Sequence, residues 1–210
     1  MRIDVLCSDP RHPILPGLVQ WCEAHGATLH GDMGTLEGGD FLFLISCQQL
    51  IGPVLRARYR HTLVLHASDL PAGRGMSPHV WQVLEGAGRI TVTLLDAADP
   101  VDSGGIWQQL VFTLDGHELC NEINARLFAA EFELMAWALA HCDGRAARAQ
   151  VGEPSHYPRR RPEDSRIDPH KPLAEQFNLL RVADPERYPA FFELHGHRYE
   201  IVLRKVGEVE

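Results

Sequence analysis

Residues Thr62 to Gly86 read TLVLHASDLPAGRGMSPHVWQVLEG. Thr62–Leu65 is a short, partly β-branched apolar run of the kind that makes a buried strand, and the Pro- and Gly-rich Leu70–Gly75 behind it is a loop. The strand ends at His66. Ser77 is an N-cap candidate with Pro78 at the first helical position, and Val80, Trp81, Val83 and Leu84 follow at helical spacing until Gly86 stops the run. One titratable imidazole therefore sits at the carboxyl end of a strand, the edge at which open α/β sheets bind ligands.

The segments around it repeat this alternation. Ile3–Cys7, Ala27–His30, Phe41–Ser46, Arg89–Leu95 and Ile106–Leu114 read as strands. Leu15–His25, a stretch through Val54, Leu55 and Tyr59, and Leu119–Cys142 read as helices. The last carries a broad apolar face, Leu119, Ile123, Leu127, Leu134 and Leu139 with Phe128, Met135 and Trp137 between them, which is core. Such spacing implies parallel βαβ units with right-handed crossovers. The expected fold is α/β, a Rossmann-like, mostly parallel sheet with flanking helices plus a small C-terminal helix and β-hairpin module. No G-x-G-x-x-G follows the first strand, so a dinucleotide site is not expected.

Arg89–Leu95 leads into DAADPVDSGG, with Asp102 ahead of Ser103 and two glycines. Two neighbouring strands are then expected to deliver His66 and a carboxylate to one edge. That pairing orients an imidazole and stabilises its charged form, as general-base chemistry requires. The alternative for His66, one of 12 histidines, is a strand-end hydrogen bond with no chemistry.

The totals bound the possibilities. The 210 residues carry a net charge of −8, which argues against a broad grip on nucleic acid. No apolar run approaches the roughly 20 residues that cross a bilayer, and Met1-Arg2-Ile3 leads straight into a strand. A cytoplasmic protein with no membrane or nucleic-acid partner is expected. The five cysteines, Cys7, Cys22, Cys47, Cys120 and Cys142, are scattered in mostly apolar segments and read as reduced core thiols. Neither C-x-x-C nor H-E-x-x-H is present, and no metal is expected.

His66-Ala67-Ser68-Asp69-Leu70-Pro71-Ala72-Gly73-Arg74-Gly75 resembles the H-x-S-x-L-P-x-x-R-G segment of the folate-dependent formyltransferases. Val101-Asp102-Ser103-Gly104-Gly105-Ile106 resembles their second signature, D-[ST]-G with a small and an aliphatic residue after it. Tyr157–Asp168 is similar to the Y-x-x-R-x-P-E-D-x-x-I-D tract of the sugar formyltransferases, and the ending R-x-x-D-x-x-x-Y-P-A-F-F to their shortened C-terminal module. The resemblance implies residues 1–145 as catalytic domain, 146–172 as a Pro- and Arg-rich linker crossing the surface, and 173–210 as a small module of helix Leu173–Leu180 and hairpin Phe191–Leu194 with His197–Leu203.

The resemblance also implies chemistry: transfer of a formyl group from 10-formyltetrahydrofolate to the amine of a nucleotide-linked amino sugar, for surface polysaccharide or O-antigen assembly. His66 and Asp102 take the catalytic roles. Folate is implied at Ser46, Cys47, Gln49, Leu50, Asp96, Ala97, Asp99 and Val101, and the acceptor at Ser68, Asp69, Arg74, Gly75, Met76 and Arg11. One departure stands out. The family has an Asn two residues before the histidine, where this chain has Val64, and loss of one oxyanion donor costs on the order of a hundredfold in rate. Gln48 is the first substitute donor, with Gln49 beside it and Asn121 and Asn124 ranked below; a solvated glutamine pair is the alternative. A binding protein without catalysis and a formyl-folate hydrolase remain as rival functions. The Ser8–Pro13 turn holds two prolines and no glycine, which disfavours a backbone phosphate cradle there; Arg11 and His12 either meet a sugar or phosphate or are solvated. Arg159, Arg160 and Arg161 either grip a diphosphate or form an exposed basic patch. The alternating Tyr199, Ile201 and Leu203 offer an edge for a homodimer.

Overall fold

The computed structural model describes residues 1–208. In chain order the elements are β1 (Ile3–Leu6), α1 (Leu15–His25), β2 (Thr28–His30), β3 (Gly39–Leu44), α2 (Pro53–Arg56), β4 (Tyr59–His66), β5 (Arg74–Gly75), α3 (Pro78–Leu84), β6 (Arg89–Asp96), β7 (Ile106–Thr113) and α4 (Cys120–His141). They continue with β8 (His156–Tyr157), α5 (Phe177–Val182), β9 (Ala190–Leu194) and β10 (His197–Ile201). The main sheet has the order β2-β1-β3-β4-β6-β7. β1, β2, β3 and β4 pair in parallel, as the apolar runs of a two-sided sheet imply. One face of the sheet packs Val5, Phe43, Leu63, Leu65, Val92 and Leu94 against Leu18 and Trp21 of α1, Val83 of α3, Leu127 and Leu134 of α4, and Val182 of α5. The other face carries a smaller cluster of Leu6, Leu42, Leu44, Ile51 and Tyr59.

The parallel expectation fails at β6, which runs antiparallel to β4 with His66 opposite Thr93 and Leu63 opposite Asp96. β7 returns antiparallel to β6. After α3 the chain turns at Gly86 and re-enters the sheet from the edge at which β4 left it, so β6 runs antiparallel to β4.

Three local expectations are also revised. The helix drawn through Tyr59 stops at Arg56, because Tyr59 opens β4 and gives its hydroxyl to the buried Asp4 carboxylate at 2.6 Å. Ser77 makes no side-chain cap; it adopts φ 51° and its side chain is left at the surface of a cavity. The second hairpin strand ends at Ile201, and Leu203 packs beside Phe192 and Ile201 on a cluster of Ile167, Leu180 and Ala190.

Residues 146–172 run mostly exposed and are tied to the body at several points. Arg148 bridges to Ile106, β8 pairs in parallel with β5, and Arg166 bridges to Phe191. Farther on, buried Arg181 in α5 faces Glu118 at 3.7 Å.

Candidate active site

His66 is buried at the end of β4. Its Nε2 lies 2.9 Å from the Gly73 carbonyl oxygen, which can only accept. Its Nδ1 faces Asp102 Oδ1 at 3.6 Å, an ion-pair approach longer than a hydrogen bond. Asp102 is buried as well, and its Oδ2 accepts from the backbone N–H of Gly75 at 3.0 Å. The strands do not bring these two side chains together, since Asp96 ends β6 opposite Leu63. The loop after β6 does so by folding back. Ala97 N donates to Thr62 O, Asp96 N to Gly105 O, and Gln150 Nε2 to the carbonyls of Asp102 and Gly104. Gly104 has to be glycine for this: a Cβ there would stand 1.9 Å from the Asp96 carbonyl oxygen. Gly75 is equally constrained, with φ 104° and a Cβ position 2.3 Å from the Tyr157 oxygen.

His66 and Asp102 open onto a cavity of about 670 Å³. Ser46, Cys47, Gln48, Gln49, Leu50, Ala97, Asp99, Val101, Gly75 and Met76 all stand on its wall, as the motifs imply. Five expected residues do not. Asp96 accepts from the Trp107 indole at 2.8 Å, and Asp69 from Gln109 at 2.9 Å. Arg74 reaches Gln150 at 2.7 Å; Ser68 is buried behind the loop and Arg11 is exposed on the first turn. In each case a local partner or the run of the loop turns the side chain away from the cavity.

Val64 stands on the wall between Leu44 and Leu95, so the position where the family has an amide is apolar. Leu44, Ile51, Val64 and Ala97 pack in one cluster and line the cavity together as an apolar slot at this end. Of the nearby amides, Gln48 is exposed and its backbone N–H donates to Ser8 Oγ at 2.8 Å. Gln49 Oε1 is sealed from solvent with no hydrogen-bond partner among the described residues. Asn124 is on the wall and gives its amide to Cys120 Sγ at 3.6 Å, whereas Asn121 is exposed and off the wall.

His12 and Arg160, named in the sequence reading, are on the wall, and His79, Glu131, Asp184, Arg187 and Tyr188 join them unannounced. His12 accepts from Ile14 N at 3.3 Å through Nδ1, so its proton lies on Nε2, 3.0 Å from Ser46 Oγ. Burial first, then the Arg187 charge, pull His12 down to about 4, and desolvation does the same to His79. Glu131, 7% exposed on α4, is pushed up to about 8 by desolvation. It makes no hydrogen bond or ion pair among the described residues. Arg160, Asp184, Arg187 and Tyr188 close the cavity from the C-terminal side, with Arg187 paired to Asp9. Glu131 had a signal, since it interrupts the apolar stripe Ile123, Leu127, Met135 of α4 at helical spacing.

A family model described as formyl transferase matches residues 30–139. Methionyl-tRNA formyltransferase from Clostridium thermocellum superposes with a TM-score of 0.83 at 20% identity, over 99% of this chain and 94% of that one. A sugar N-formyltransferase from a Shewanella species superposes at 0.74 and 14% identity, over 100% of this chain and 99% of that one. HypX from Aquifex aeolicus in complex with tetrahydrofolic acid superposes at 0.76 and 18% identity, over 97% of this chain but 37% of that one. At these identities the likeness is one of fold. Among the described residues no helix is long and apolar enough to cross a membrane.

Proposed function

Because the chain belongs to the formyl transferase family, we propose that it moves a formyl group from 10-formyltetrahydrofolate to the primary amine of a nucleotide-linked amino sugar. The observation that carries this reading is the buried His66–Asp102 pair opening onto a cavity that also holds an apolar slot. Leu44, Ile51, Val64 and Ala97 suit a flat heterocycle, and the loops at Gln48–Leu50 and Ala97–Val101 are the parts of the wall that would hold the rest of the folate. When bound, the folate supplies a formyl group on a nitrogen that leaves readily.

His66 has three tasks in this scheme. It takes a proton from the acceptor amine as the new C–N bond forms, its N–H steadies the oxyanion, and it returns the proton to the departing folate nitrogen as that C–N bond breaks. Nε2, which donates to the Gly73 carbonyl, has first to leave it and lose its proton while the ring holds one on Nδ1 toward Asp102, so the Leu70–Gly75 loop gates the reaction. Asp102, fixed by Gly75 N–H, keeps Nδ1 oriented and balances the imidazolium. Val64 contributes no donor, which favours one second reading: a binding protein without turnover.

The test is a tetrahydrofolate-release assay with a panel of nucleotide-linked amino sugars. Release only in the presence of an acceptor supports the transferase. Formate without acceptor makes the protein a hydrolase, and no turnover with folinic acid raising Tm makes it a binder. A homodimer along the outer edge of β10 belongs to the same reading, and light scattering that finds a monomer removes it.

A further inference from the structure

β3 and β4 run side by side in register, with Leu42 beside Thr62 and Leu44 beside Val64. Two residues farther along, the same register sets Ser46 next to His66, and both stand on the cavity wall. Ser46 leaves the strand with φ 49°, a left-handed conformation that an L side chain keeps only where its surroundings hold it. His12 supplies a hold. Its Nδ1 accepts from Ile14 N, so the proton on Nε2 is directed at Ser46 Oγ, 3.0 Å away. Burial and the Arg187 charge pull this imidazole down to about 4, so it is a neutral, fixed donor wherever an amine can react. One lone pair of Oγ is thereby used, and the hydroxyl proton has no acceptor among the described residues. A hydroxyl that accepts from such an N–H is polarised into a better donor. The side chains opposite offer nothing comparable, since Leu44, Val64 and Ala97 are all apolar.

We propose that Ser46 donates its hydroxyl hydrogen bond to the oxyanion formed during transfer, the task that Val64 cannot perform. The inference rests on the reading of the cavity as the formyl-transfer site. The amine nitrogen adds to the formyl carbon, and the carbonyl π pair moves onto oxygen. Ser46 Oγ–H meets that oxygen and keeps its own proton. When the bond from carbon to the folate nitrogen breaks, the pair returns to form the carbonyl of the product amide. Oxyanion sites use more than one donor, so Ser46 leaves a second place for an amide of the loop that follows it.

The test compares Ser46→Ala and Ser46→Gly with the wild-type chain; glycine removes the hydroxyl and suits the left-handed backbone. Each is expected to lower kcat on the order of a hundredfold while KM for the folate stays within about twofold. Adding Val64→Asn to Ser46→Gly returns a donor from the neighbouring strand and is expected to recover about tenfold or more. Wild-type kcat in Ser46→Gly overturns the proposal, as does a double variant no faster than the single one. A loss confined to KM also overturns it, by making Ser46 a folate contact. Calorimetry gives a readout independent of turnover. Its probes are folinic acid and a folate analogue that carries an aldehyde on carbon in place of N10 and exists as its hydrate, a stable likeness of the tetrahedral intermediate. The wild-type protein is expected to prefer the hydrate, and Ser46→Gly to lose about tenfold of that preference. No preference in the wild type, or an equal one in the variant, overturns the donor. A Ser46-dependent preference without acceptor-dependent tetrahydrofolate release keeps the donor and removes the transferase.

Discussion

Glu131→Gln is expected to stabilise the protein above neutral pH and to remove a pH dependence that the wild-type chain carries. Burial lifts this carboxyl from 4.5 to about 8, so the folded state keeps its proton to a higher pH than the unfolded chain does. Below pH 4.5 both states are protonated and the group contributes nothing. Between 4.5 and 8 the unfolded chain ionises first, so stability falls as pH rises, and above 8 the full loss is present. The gap of about 3.5, at about 1.4 kcal/mol for each pH unit, sets a ceiling of about 5 kcal/mol. Because Glu131 stands on a cavity that admits water, about 1–3 kcal/mol is the expected size. Glutamine keeps the shape and cannot ionise. Urea unfolding of both proteins at pH 5 and pH 8.5 measures the double difference: the wild-type protein loses stability relative to the variant at the higher pH. Parallel stability profiles across that range would refute the assignment of a buried, unpaired acid.

His66→Ala and Asp102→Asn are each expected to lower formyl transfer by about a hundredfold or more while leaving Tm close to wild type, since both side chains end strands or loops outside the apolar clusters; near wild-type turnover in either would remove the catalytic pair. Val64→Asn restores an amide at the apolar gap and is expected to preserve or raise turnover, whereas Gln48→Ala or Gln49→Ala lowers it by about the worth of one oxyanion donor, on the order of a hundredfold. If Val64→Asn changes nothing and neither glutamine matters, the oxyanion is held by a backbone amide or water.

What could be read from the chain was local. Apolar β-branched runs announced β1, β3, β4, β6 and β7, the Leu70–Gly75 loop followed from its Pro and Gly content, and His66 at a strand end followed from both. The helical stripe of α4 was visible as core, and Glu131, which interrupts it, went unread. These features depend on steric and hydrophobic preferences that act over a few residues, so the amino-acid order alone determined them. The direction of β6 depended on where the chain after α3 re-entered the sheet, and the meeting of His66 with Asp102 on a loop pinned by Gln150, 48 residues beyond Asp102. The C-terminal wall was hidden for the same reason: Asp184, Arg187 and Tyr188 read as module residues, and only chain closure carried them over the cavity. The tertiary structure also decided which charges found partners. Arg187 met Asp9 from the far end of the chain and Arg160 met none, an outcome set by long-range packing and desolvation that no short stretch of sequence encodes.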